Sequence, residues 1–108
     1  MSEFAGTLNE RIVIERAVGA RTPMGVQQSA WEMVCRCLAS VTLEGAGAES
    51  EAQALSAMPR YRVTIRAREG VGIDQRLSWR GRMLMVRQML DDPREKDRIA
   101  MRCEEVRR

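Results

Sequence analysis

The sequence predicts a small antiparallel β-barrel or sandwich of about six strands, with one short helix inserted between the second and third strands. Three observations carry that fold class. Apolar residues recur at every second position in successive short segments. Turn-forming Gly and Pro residues separate those segments. Only one link is long enough to hold a helix, so the remaining strands must connect as antiparallel neighbours. A chain of 108 residues suits one domain around one core.

The first strand spans residues 11–18, where Ile12, Ile14 and Val18 alternate with Arg11, Val13 and Glu15. Gly19 and Ala20 end it, and residues 19–29, with Arg21, Pro23, Met24 and Gly25, read as a projecting loop. The clearest alternation follows: Trp31, Met33, Cys35, Cys37, Ala39, Val41 and Leu43 are all apolar or small. Thirteen residues exceed an ordinary strand, which predicts a bend or bulge near Leu38 and Ala39, with Leu38 changing faces there.

Gly45 and Gly47 break this strand, and Ala48, Ala52 and Leu55 then fall at helical spacing in an Ala-, Glu- and Gln-rich stretch. Residues 44–58 are therefore a second insert holding a short helix, stopped by Pro59. Tyr61, Val63, Ile65 and Ala67 next alternate with Arg60, Arg62, Thr64, Arg66 and Arg68, giving a strand with one apolar and one cationic face. After a Gly70/Gly72 loop, Arg80-Gly81 marks a tight hairpin between residues 77–79 and 83–89. Asp91, Asp92 and Pro93 break the chain again before a last strand with Ile99, Met101 and Cys103 on one face.

The core must be aliphatic and Met-rich, because only Phe4, Trp31, Tyr61 and Trp79 are aromatic. Both Trp residues read as core anchors, and Met83, Met85 and Met89 as core filler. No apolar run approaches the roughly 20 residues that span a bilayer, and the N-terminus lacks a signal-peptide pattern. Three cysteines, an odd number, suit free thiols in a reducing cytoplasm.

Histidine is absent. That removes the commonest general base, the usual catalytic triads and the commonest zinc ligand together. Cys35 and Cys37 share a strand face far from Cys103, without the spacing of a zinc or redox motif. The acid pairs Asp91-Asp92 and Glu104-Glu105 read as solvated, and no Gly-rich segment ends in the Lys-Ser/Thr of a phosphate loop. No enzyme, metal or cofactor is expected.

Charge is uneven: residues 59–90 hold eight basic against two acidic side chains, and 17 of the chain's 18 basic residues are Arg. The row Arg60, Arg62, Arg66 and Arg68 is the strongest candidate surface. It suits Arg–carboxylate pairing across a subunit interface, contact with a phosphate backbone, or a solvated edge. The near absence of aromatics argues against a single-strand stacking platform.

Taken in order, the segments resemble the phage head-tail joining family, the head-closure or stopper proteins of long-tailed phages and gene transfer agents. The matching features begin with Leu8-Asn9-Glu10-Arg11-Ile12, Trp31 at the start of the long strand, and Leu38-Ala39-Ser40-Val41. They continue with Gly47-Ala48-Glu49, Arg62-Val63-Thr64-Ile65-Arg66, Gly81-Arg82, and the closing strand of residues 98–104. Members often carry a second Trp where this chain has Leu38.

That resemblance implies a single β-barrel domain over residues 1–108, with a flexible arm at 1–8 and projecting inserts at 19–29 and 44–58. It implies a homo-oligomeric ring, expected to be sixfold, beneath the portal and its adaptor and above a tail terminator or tail tube. The ring would close on packaged double-stranded DNA, in a phage-like particle assembled in the bacterial cytoplasm, without contact to a membrane. Arg21, Met24, Glu44, Gly45, Gly47, Glu49 and Glu51 are then the channel or docking candidates of the inserts. The alternatives are a small nucleic-acid-binding barrel and a tail terminator or tail-completion subunit.

Overall fold

Six strands carry the alternation: β1 (Glu10–Arg21), β2 (Gln27–Gly45), β3 (Arg60–Arg66), β4 (Arg76–Trp79), β5 (Arg82–Leu90) and β6 (Arg98–Val106). The computed structural model describes residues 6–21, 27–45, 58–90 and 92–106. The strands close into a barrel in the order β1-β2-β3-β6-β5-β4, each neighbouring pair antiparallel. Closure satisfies the strand edges that a sandwich would leave open. The expected helix falls within residues 46–57, outside the described residues.

Inward positions follow the period-two rule. Ile12, Ile14, Val63, Ile65, Leu77, Leu84, Val86, Met101 and Cys103 fill the interior almost without solvent contact. Each large aliphatic among them contributes about 1.5–3 kcal/mol relative to an exposed side chain. Met83 and Met85 are not in this set: they alternate with Leu84 and Val86 and therefore face outward, which corrects their reading as core filler. Met89 does pack against the core, because a bulge at Arg87 shifts the register beyond Val86.

The long strand also bends elsewhere than expected. Pairing of β1 with β2 runs unbroken through Arg11↔Leu38 and Glu10↔Ala39, and Leu38 stays on the outer face, half exposed. The break falls lower, where Ile14 pairs with Cys35 but Glu15 with Met33, so Val34 is the extra residue of a bulge. Its place has a physical reason: Glu15 is the last β1 residue paired with β4. Here β1 and β2 leave the barrel wall and must turn.

Beyond that point the two strands continue as a hairpin, with Arg16↔Glu32 through Arg21↔Gln27 in register. The first strand thus does not end at Gly19, nor does the second begin at Trp31. Small residues at 17, 19 and 20 weaken the local strand signal, but cross-strand hydrogen bonding needs only backbone. Six paired residues per strand make an arm about 20 Å long, and the molecule measures 54 × 38 × 27 Å.

Arg80 and Gly81 form the expected two-residue turn, with φ of 48° and 76°, the double left-handed geometry of a type I′ hairpin. Arg80 adopts it without being glycine, and its guanidinium bonds both carboxylate oxygens of Glu10 at 2.7 and 2.9 Å. Trp79 Nε1 donates to the same carboxylate at 2.8 Å. Alongside, Arg82 pairs with Glu105 at 2.9 Å, and the Tyr61 and Trp79 rings meet edge to face at 5.1 Å. This polar and aromatic cluster closes one end of the core.

Candidate assembly surfaces

With the interior filled, what the barrel offers to other molecules lies on its outside. Among the described residues no group of His, Cys, Asp and Glu is placed to hold a metal ion. None of their helices is long and apolar enough to cross a membrane. Cys35, Cys37 and Cys103 are free thiols. Burial pushes Cys103 up to about 12, and burial with the neighbouring Cys35 pushes Cys37 up to about 11. Thiolate chemistry at Cys37 and Cys103 is therefore suppressed at neutral pH.

The arginine row of β3 is the first surface. Tyr61, Val63 and Ile65 point inward, so Arg60, Arg62 and Arg66 stand exposed on the outer face. Arg68 lies two residues past the strand, where its charge acts on the Cys37 thiol. Arg62 sits directly opposite Arg102, and Arg66 opposite Arg98, like-charge pairings that cost stability unless an anion intervenes.

The acids nearby serve the β6 arginines. Arg102 bonds Glu44 at 3.2 Å and Gln88 at 3.3 Å, and Arg98 bonds Glu95 at 3.1 Å and Asp97 at 3.0 Å. Among the described residues, Arg60, Arg62, Arg66 and Arg68 form no ion pair. Among the described residues the row is thus a set of guanidiniums without an ion pair, though the Arg66 charge acts on Asp97. Arg62 and Arg102 line a groove of about 710 Å³ with Ser40, Thr42, Thr64 and Gln88.

The hairpin arm is the second surface. Arg21 ends β1, paired with Gln27 at the far end of the arm. Met24 lies outside the described residues, as do Gly47, Glu49 and Glu51. Glu44 and Gly45 belong to the end of β2 and not to a loop: Glu44 is the extra residue of a bulge, and Gly45 pairs with Arg60. The candidates of the two inserts therefore separate into residues held by the sheet and residues beyond the described structure.

A third surface escapes sequence reasoning. The Val34 bulge carries Trp31 and Met33 onto the outer face, since they pair with Ala17 and Glu15. Trp31 is not a core anchor. The Arg76 guanidinium lies 4.1 Å from its ring centroid while donating to Glu15 at 2.8 Å. With Met83, Met85 and Val106, and with the polar Glu15, Arg76 and Ser78, Trp31 lines a groove of mixed polarity at the base of the arm. Only a one-residue offset against the period would have revealed it, and nothing local encodes that offset.

Comparison with known proteins bears on these surfaces. The family described as phage head completion protein matches residues 5–106. A Shigella flexneri 2a protein of known solution structure superposes with a TM-score of 0.69 at 26% identity, over 93% of this chain and 94% of that one. A chain of the virion of a native gene transfer agent particle superposes with a TM-score of 0.70 at 24% identity, over 92% of this chain and 96% of that one. No curated protein matches the sequence.

Proposed function

Because the chain belongs to the phage head completion protein family, and is thereby a structural component of a virion or phage-like particle, we propose that it is a ring-forming head-closure subunit. In this reading, copies encircle the DNA exit channel below the portal and adaptor, expected as a hexamer, and connect the head to the tail terminator or tube. The insert of residues 44–58 and the arm around Arg21 and Met24 close the channel or dock to the neighbouring rings. A ring needs each contact to be only weak, because repetition sums them.

The observation that carries this reading is the row of Arg60, Arg62 and Arg66, which form no ion pair among the described residues, on the outside of a barrel whose inside is filled. Guanidiniums without an ion pair among the described residues, two of them opposite further arginines, find carboxylates most simply on the next copy. The gene transfer agent neighbour, itself a virion chain, supports the setting. The same row also suits phosphate, so lumenal DNA contact is the second reading. Deleting residues 45–57 should leave a folded barrel and abolish DNA retention in particles; DNA-filled particles at wild-type yield would sink the closure role. A titration of the isolated chain with duplex DNA separates the second reading, which requires a steep fall in affinity with salt.

A further inference from the structure

The arm leaves backbone unsatisfied on both sides. β4 accompanies β1 only along Val13, Ile14 and Glu15, and β3 accompanies β2 only from Ser40 onward. Among the described residues, 16–21 and 27–33 therefore each have one strand neighbour, their hairpin partner, and an open edge opposite it. An open edge is a template for a further strand. Proteins ordinarily blunt such edges with Pro or Lys, and neither occurs in these two stretches.

We propose that the arms of neighbouring copies of this chain pair edge to edge, β1 residues 16–21 of one copy against β2 residues 27–33 of the next. The pairing builds one continuous antiparallel sheet around the ring, and it rests on the ring reading above. Three features select a second copy in this head-to-tail arrangement.

Charge is the first. Residues 16–21 carry Arg16 and Arg21 and no acid, whereas residues 27–33 carry Glu32 and no base. Pairing β1 with β1 would set arginines against one another, whereas pairing β1 with β2 sets them beside Glu32, which bonds Arg16 of its own arm at 3.3 Å and would bridge to the next copy. Direction is the second. Under rotation about a ring axis every β1 keeps its sense and every β2 the opposite one, so β2 of one arm meets β1 of the next antiparallel, as within the hairpin. Such a heterologous contact closes into a ring, which a two-fold contact does not.

Side-chain size is the third. Ala17, Gly19 and Ala30 are exposed and small, so the cross-strand side-chain neighbours that edge pairing creates have room on the sheet faces. Six arms would place twelve strands at about 4.8 Å spacing, which at a barrel tilt of about 35–45° gives a perimeter of about 70–80 Å around a channel.

Cryo-EM of particles carrying the full chain tests this directly. The expected result is a backbone separation of about 4.8 Å between residues 16–21 and residues 27–33 of the adjacent copy. A ring in which the arms stand apart, or lack density, overturns the edge pairing and leaves the ring intact. A single copy, or none below the portal, overturns the ring reading itself. A second measurement uses proline. Successive strand N–H groups point alternately toward and away from the hairpin partner, so either A17P or V18P removes a donor that only a neighbouring copy would use. Whichever variant keeps the isolated chain folded should lose DNA-filled particles; wild-type yield from that variant overturns the proposal.

Discussion

β1 and β2 each run through two environments, and the contrast between them explains how one chain serves both folding and assembly. Up to Glu15 and down to Cys35 they are barrel wall, with Ile12, Ile14, Cys35 and Ala39 sealed inside. Past the Val34 bulge they become an arm in which Ala17, Val18 and Ala30 are all exposed. The wall draws its stability from burial. The arm has only a hairpin's own hydrogen bonds and the Arg16–Glu32 pair, and an isolated two-stranded hairpin is marginal in water. Stability is concentrated where the chain contacts itself, in the wall and not in the arm.

The sharpest way to break this contrast is to truncate matched residues in the two regions. Leu84→Ala, at a fully buried wall position, should cost about 2–5 kcal/mol, read from urea denaturation. Val18→Ala in the arm, at 38% exposed, should stay within about 0.5 kcal/mol. Equal losses would show that the arm belongs to the cooperative fold. The joint between the regions should behave intermediately. Trp31→Ala removes the stacked Arg76 contact and should cost about 1–2 kcal/mol, with hydrogen exchange in residues 16–19 accelerating more than in β6.

Glu10 sharpens the contrast from the closed end of the wall. Hydrogen bonds from Arg80 and Trp79 hold its carboxyl below its ordinary value of 4.5. The stabilisation this confers is complete above that value and is lost as pH falls through the lower, folded-state one. Glu10→Gln should therefore flatten the acid limb of a stability-against-pH curve; an unchanged limb would show that the lid contributes nothing. The smallest effect is expected at Arg62→Ala. Removing one member of the Arg62/Arg102 pairing should change stability by under about 0.5 kcal/mol, yet lower the yield of DNA-filled particles. Unaltered particles would return the arginine row to the status of a solvated surface.

The wall was largely legible in the sequence and the arm was not, for a physical reason. Alternation of Val63 and Ile65 with Arg62 and Arg66 records burial, and burial is what a period reports. The Arg80-Gly81 turn was legible because its backbone requires left-handed residues. The Val34 bulge follows from where β4 stops pairing with β1, a contact between residues about sixty apart, so Trp31, Met33 and Leu38 were set on the wrong faces. The arm's pairing past Gly19 is purely backbone, which composition does not register. The row at Arg60, Arg62 and Arg66 is legible in the sequence, but that it forms no ion pair among the described residues is not, because the pairing of Glu44 and Asp97 with β6 arginines is a tertiary fact.

β2 runs without interruption through 19 residues from arm to wall, and this continuity has a mechanical consequence. A pull on the tip directed along the strand loads its cross-strand bonds in parallel, so they resist together. A push from the side peels them one after another, starting at the tip. The arm is therefore stiff to axial load and compliant to sideways displacement.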